Sequence, residues 1–234
     1  MSASPRVVML TGAAGNLGRA VAEAFSAAGD NLVLLDLQRE ALGKAFGNET
    51  PKQMFTPADL LRQADVDGAV QAALKRFGRI DVLCNLAGGF RMGEAVHETS
   101  DESWAFLLDL NARTLLRTAH AVVPAMLEQG GGRIVNVGAA SAGRGLAQMG
   151  AYVASKAVVA RLTESMSAEL RERGINVNCV LPSIIDTPEN RKAMPDADPA
   201  RWVTPEALAD VIVFLASGAA RAVHGASLPV TGLS

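Results

Sequence analysis

Short, uninterrupted apolar runs alternate along the chain with longer stretches in which apolar residues return every three to four positions. The runs RVVML (6–10), NLVLLD (31–36), IDVLCNLAG (80–88), GRIVNVG (132–138) and INVNCVLP (175–182) predict strands, as do the weaker KQMF (52–55) and a final GASLPV (225–230). Helical periodicity predicts helices over 16–28, 63–77, 101–128, 150–173 and 204–217. Strands apolar on both faces and separated by helices imply a parallel sheet covered on both sides. Right-handed crossovers then make a doubly wound α/β sheet of about seven strands. No linker, repeat or shift of composition divides residues 1–234, so one Rossmann-fold domain is expected. The longest irregular stretch, 182–203, follows a strand end, where loops over a substrate sit in this architecture.

Composition narrows the class. Of 234 residues, 49% are hydrophobic and 20% charged, a globular balance, and the net charge of −2 offers nothing to nucleic acid or an acidic membrane. No apolar run reaches membrane-spanning length, and the N-terminal apolar segment is too short and too Gly-rich for a secretory leader. Cys84 and Cys179, each inside an apolar run, read as reduced core thiols. A cytoplasmic protein with a small-molecule substrate is expected. His97, His120 and His224 are dispersed without metal-ligand spacing, so no metal is expected.

The turn TGAAGNLG (11–18) joins the first strand to the first helix. Gly12, Gly15 and Gly18 permit a tight turn and close packing, with Asn16 and Leu17 opening a helix whose N-terminus offers free N–H groups to a pyrophosphate. The second strand ends at Asp36, followed by Leu37. A carboxylate there accepts from both ribose hydroxyls and repels a 2′-phosphate, which favours NAD and leaves NADP as the alternative; Arg19 and Arg39 are the cations that weaken the preference. Asp59, beside Leu60, is placed to accept from an adenine amino group, and Asn85, Ala87 and Gly88 let the backbone pass beside a ribose.

Tyr152 and Lys156 stand one helical turn apart on one face. An ammonium near a phenol favours the phenolate, which lowers a pKa normally about 10 and makes the tyrosine a usable acid or base. In order along the chain, TGAAGNLG, Asp36, NLAGG, Asn111, YVASK and NVNCVLPS together resemble the short-chain dehydrogenase/reductase family over essentially the whole length. The resemblance implies a nicotinamide cofactor, Tyr152 as proton donor and acceptor, Lys156 on the nicotinamide ribose, Asn111 holding a relay water, and a homodimer or homotetramer. It also implies cofactor contacts from Pro182, Ile184, Ile185 and Thr187.

Three departures stand out. Asn16 gives the spacing TGxxGxxG; Pro182-Ser183 replaces Pro-Gly; and Ala139 occupies the position, thirteen residues before Tyr152, of the family's catalytic serine. The C-terminal third, with LPSIIDTPENRKAMPDAD and Trp202, resembles dihydropteridine reductases, which also have Ala for that serine. Three explanations of the missing hydroxyl are open. The substrate can be already activated, as a quinonoid acceptor is. Ser141 can take over, although in an extended segment it lies roughly 7 Å from position 139. Or the protein binds NAD as a sensor with little turnover. Phe90, Met92, Met149, Met194 and Trp202 are candidates for an apolar pocket or the core, and Arg91, Arg144 and Arg191 for an anionic substrate or the solvated surface.

Overall fold

The computed structural model describes residues 5–234; residues 1–4, where the reading against a leader begins, lie outside the described residues. Seven strands, β1 (Val7–Thr11), β2 (Asn31–Asp36), β3 (Gln53–Pro57), β4 (Val82–Asn85), β5 (Gly132–Val137), β6 (Ile175–Pro182) and β7 (Ser227–Val230), form one sheet in the order β3-β2-β1-β4-β5-β6-β7. Every neighbouring pair is parallel. All seven expected strands are present.

The described residues form eight α-helices: α1 (Asn16–Ala27), α2 (Arg39–Phe46), α3 (Gln63–Phe77), α4 (Asp101–Leu108), α5 (Thr114–Glu128), α6 (Gly150–Leu170), α7 (Pro188–Ala193) and α8 (Pro205–Leu215). One apolar layer joins the sheet to α3, α5 and α6 through Val66, Leu115 and Val159, and the other joins it to α1 and α8 through Phe25 and Ile212. Strand order reverses between β1 and β4, so a crevice opens at the carboxyl ends of those strands. Among the described residues, no helix is long and apolar enough to cross a membrane.

Two expectations change. Residues 101–128 are not one regular helix: a π-helical turn at Asp109–Arg113 separates α4 from α5. The irregular stretch 182–203 contains the short α7, started by Thr187, whose hydroxyl accepts from Asn190 N–H at 3.2 Å, and by Pro188 at its first position. Trp202 is buried at 6% exposure and belongs to the core.

Candidate active site

The carboxyl ends of β1 and β4 are knitted together first. The Thr11 hydroxyl accepts from the backbone N–H groups of Leu86 and Ala87 at 3.0 and 3.1 Å, which fixes the turn after β4 against the turn after β1. Gly12, at φ +62°, meets that turn so closely that a Cβ on it would lie 3.0 Å from Ala87. A Cβ on Gly18 would collide with the carbonyl oxygens of Gly12 and Ala13. Gly15, the N-cap of α1, supplies no side-chain partner to the first-turn N–H groups. A backbone cradle at an uncapped helix N-terminus fits a dinucleotide pyrophosphate.

Asp36 closes the cradle. Its Oδ2 accepts from Ala14 N–H at 3.0 Å and its Oδ1 from Leu37 N–H at 2.8 Å, so the half-buried carboxylate is oriented at the strand end; the Leu37 side chain is exposed. Asp59 Oδ1 accepts from Leu61 N–H at 2.9 Å, while Leu60 is buried beside it. The Asn16 amide is turned away from the turn's interior: it donates to Glu189 at 2.8 Å on α7 and accepts from Arg19 at 2.6 Å.

Several of the residues expected at the cofactor also hold the local structure. Asn85 is buried, donates to Asn136 Oδ1 at 2.9 Å and accepts from the Thr118 hydroxyl at 2.7 Å, and Asn136 in turn donates to Thr163 at 2.9 Å. This polar ladder crosses β4 and β5 from α5 to α6 and leaves the strand end, not the Asn85 side chain, for a ligand. Thr187 caps α7. Pro182 is buried at the end of β6, and Ile184 and Ile185 are held to Val203 by a short parallel bridge.

At the catalytic end, the π turn inserts one residue into the helix and turns Asn111 inward. Asn111, 3% exposed, grips the backbone of Gly89: Oδ1 accepts from Gly89 N–H at 2.9 Å and Nδ2 donates to Gly89 O at 3.0 Å. The same Nδ2 donates to the Ser155 hydroxyl at 2.9 Å, which donates to Tyr152 O at 2.8 Å. The Asn111 amide donors are therefore committed to positioning Gly89 and α6. Ser155 was not foreseen, and neither was Thr11; each carries only the weak signal of a hydroxyl beside a recognised motif.

Lys156 is buried and donates to Val137 O at 3.0 Å. Its neighbour is a neutral carbonyl, and burial pulls its pKa down to about 8. A Cβ on Gly88 would sit 2.9 Å from Asn111 Oδ1 and 3.1 Å from Lys156 Nζ, so only glycine admits both groups there. The Tyr152 phenol packs edge-on against Phe90, with ring centroids 4.8 Å apart, and burial pushes its pKa up to about 12. This is opposite to the direction expected from a nearby ammonium: desolvation dominates, and Lys156 is turned to Val137. The phenol is thereby protonated at neutral pH.

Lys156 yields a stability prediction. Its folded pKa of about 8 lies below the ordinary 10.5, so between those values the unfolded chain binds the extra proton and stability rises with pH. In urea unfolding, Lys156→Met should lack that rise relative to the parent chain. Equal slopes for the two proteins would refute the burial argument.

Tyr152 lines a cavity of about 200 Å³ with Arg91, Met92, Glu94 and Met149, between the segment after β4 and the start of α6. Ser141 is not among its lining residues; it lies in the 3-10 turn Ala140–Gly143, beyond the buried Ala139. The expectation that Ser141 supplies the missing hydroxyl gains no support from this placement. Arg191 is paired with Asp186 at 2.6 Å. Arg91 stacks 4.1 Å over the Phe106 ring. Among the described residues, no group of three or more His, Cys, Asp or Glu side chains could hold a metal.

Known proteins resemble the chain over nearly its whole length. Residues 12–232 match the family model described as enoyl-(acyl carrier protein) reductase. The chain is 35% identical to D-threitol dehydrogenase of Mycolicibacterium smegmatis, over 97% of this chain and 92% of that protein. It is 33% identical to 2-(R)-hydroxypropyl-CoM dehydrogenase of Xanthobacter autotrophicus, over 97% of each. The structure of 3-ketoacyl-(acyl-carrier-protein) reductase from Brucella melitensis complexed with NADH superimposes with a TM-score of 0.87 at 28% identity, over 97% of each chain. With the sheet order, the glycine cradle and these full-length likenesses together, the chain belongs to the short-chain dehydrogenase/reductase family of NAD(P)-dependent oxidoreductases.

Proposed function

We propose that this protein interconverts a small alcohol and its carbonyl compound, with NAD as the preferred dinucleotide and Tyr152 as the acid/base. The observation that carries the reading is the Asn111–Ser155–Tyr152 chain, which fixes the one tyrosine of the sequence beside a small cavity and next to a glycine cradle. Gly12, Gly15, Gly18 and the N-terminus of α1 would hold the pyrophosphate, Asp36 the adenosine ribose, and Lys156 the nicotinamide ribose. The nicotinamide, when bound, supplies or accepts the hydride. Tyr152, protonated at neutral pH, donates its phenolic proton to the oxygen of a carbonyl substrate, and recovers one when an alcohol is oxidised.

NAD preference is supported by the orientation of Asp36 and by the commitments of both nearby arginines: Arg19 to Asn16, and Arg39 to Glu49 at 3.3 Å. Asp36→Asn removes the charge and keeps one of the two backbone bonds, through its remaining oxygen. It should shift the ratio of kcat/KM for NAD over NADP toward NADP by about tenfold or more. An unchanged ratio would defeat the Asp36 argument.

Ala139 supports a second reading, in which the acceptor is a quinonoid pterin with its own electron sink, as the C-terminal likeness to dihydropteridine reductases suggests. Assays with both dinucleotides against small alcohols, ketones and quinonoid dihydropterin separate the two. Alcohol or ketone turnover without pterin turnover supports the first, and pterin turnover alone the second. Tight NADH binding without turnover of any of them would favour a sensor. Exposed Trp104 on α4 and Leu116 on α5 support assembly into a dimer or tetramer, testable by light scattering.

A further inference from the structure

The cavity that Tyr152 lines also holds a fixed carboxylate. Glu94 Oε1 accepts from the hydroxyls of Ser100 and Ser103, at 3.1 and 3.0 Å, whereas its Oε2 accepts from Ser100 N–H at 3.3 Å. A carboxylate offers about four acceptor sites, so these three bonds orient Glu94 and leave acceptor capacity on Oε2. The same bonds hold its pKa below the ordinary carboxylate value, with Arg91 adding to the effect. Met92, Leu107 and Met149 supply apolar wall in the same cavity.

A backbone clasp ties together the segments that carry the carboxylate and the phenol. Gly93, next to Glu94, donates its N–H to Gln148 O at 2.8 Å, four residues before Tyr152. Gly93 has φ +114°, and Gln148 has φ +59°, the only left-handed non-glycine among the described residues. That conformation costs a non-glycine residue about 1–2 kcal/mol, and such strain persists where surrounding structure over-determines it. Here the clasp joins the segment bearing Glu94 to the one leading into Tyr152, two walls of one cavity.

We propose that Glu94 is a specificity-determining residue that accepts a hydrogen bond from a second hydroxyl of the substrate, so that the substrate class is small, neutral and vicinally hydroxylated. This rests on the alcohol–carbonyl reading, in which Tyr152 serves the reacting oxygen. The cavity volume of about 200 Å³ suits a molecule of a few carbons. Arg91, on the same cavity, is engaged by Glu102 at 3.4 Å and by the Phe106 ring at 4.1 Å, which leaves the Glu94 carboxylate to disfavour hydroxy acids. Glutamine at position 94 can keep the two serine hydroxyl bonds through its carbonyl oxygen, but it loses the bond from Ser100 N–H and turns an amide donor toward the cavity.

The test compares 2-butanol with 2,3-butanediol, molecules of nearly equal size that differ by one hydroxyl. Glu94→Gln should lower kcat/KM for the diol by about tenfold or more, the range for a lost hydrogen bond to a charged group, and change 2-butanol by less than about twofold. Equal losses on both alcohols would overturn the proposal, because a purely structural role in seating α4 affects both alike. No loss on either would overturn it too. Binding of the two alcohols to the NADH complex, followed by ligand-observed NMR, provides a readout independent of turnover. A diol preference abolished by Glu94→Gln, in a protein that oxidises neither alcohol, would uphold the role of Glu94 and fault the catalytic reading. Turnover of both alcohols without any diol preference would do the reverse.

Discussion

Replacing Tyr152 by Phe is expected to lower kcat/KM by about 10²–10⁴-fold while leaving dinucleotide affinity and melting temperature nearly unchanged. The substitution removes one oxygen. The ring keeps its edge-on packing against Phe90, and the bond from the Ser155 hydroxyl to the Tyr152 carbonyl is a main-chain contact that Phe preserves. Only proton transfer is lost. The pKa of about 12 sets the pH behaviour of the parent protein: carbonyl reduction needs the phenol protonated, a condition met throughout the neutral range, whereas alcohol oxidation needs a proton acceptor and should accelerate as pH rises. Steady-state kinetics, NADH titration by fluorescence and thermal melting check the three parts separately. A Tyr152→Phe protein retaining more than about a tenth of its activity would remove Tyr152 from the chemistry.

Gly18→Ala should have the second-largest effect, on dinucleotide binding. The added Cβ meets two main-chain oxygens, those of Gly12 and Ala13, and neither can move as a flexible side-chain tip would. Buried Gly18 is where α1 packs onto the turn that must cradle a pyrophosphate, so relief of the clash displaces the helix N-terminus from the turn. Overpacking of this kind costs about 1–3 kcal/mol, which corresponds to roughly 10- to 100-fold in NADH affinity if the bound geometry bears the whole cost. Gly43→Ala is the control. Gly43 lies within α2 with nothing near its would-be Cβ, so alanine there should raise stability by about 0.5–1 kcal/mol and leave NADH binding alone. Wild-type affinity in Gly18→Ala would show that the cradle tolerates a methyl group and does not depend on that close approach.

The sheet was legible because its signal is local and strong: a buried parallel strand such as VVMLT or NLVLLD carries a run of apolar residues that covers both faces. The cradle was legible for a similar reason, since glycines between a strand and a helix mark a backbone that something must approach. Other features depend on distant partners. The π turn has no propensity signature of its own, and 109–113 reads as ordinary helix until Asn111 is seen to reach Gly89 and Ser155. The Asn85–Asn136 ladder pairs residues from adjacent strands, and Asn85 alone reads only as a strand-end residue whose backbone passes a ribose. The short α2 and α7 carry too few turns for periodicity to register. The direction of the Tyr152 pKa was missed because sequence spacing places Lys156 on the same helical face, but does not show that its ammonium is drawn to Val137 O.

Ala139 remains the residue that most shapes the chemistry. On the proposed reading Tyr152 acts without the family's serine: Ala139 is buried, and Ser141 is not among the residues that line the Tyr152 cavity. Loss of one such donor typically costs about 10²–10³ in rate. The direct test is isotopic. A small secondary alcohol deuterated at its carbinol carbon is oxidised with NAD, and the NADH formed is examined by proton NMR. Hydride transfer with Tyr152 handling only the hydroxyl proton predicts that the deuterium arrives at one face of nicotinamide C4 without dilution by solvent, and that Tyr152→Phe forms no labelled NADH on the same timescale. Deuterium appearing in water instead, or labelled NADH forming equally fast in the variant, would contradict that account.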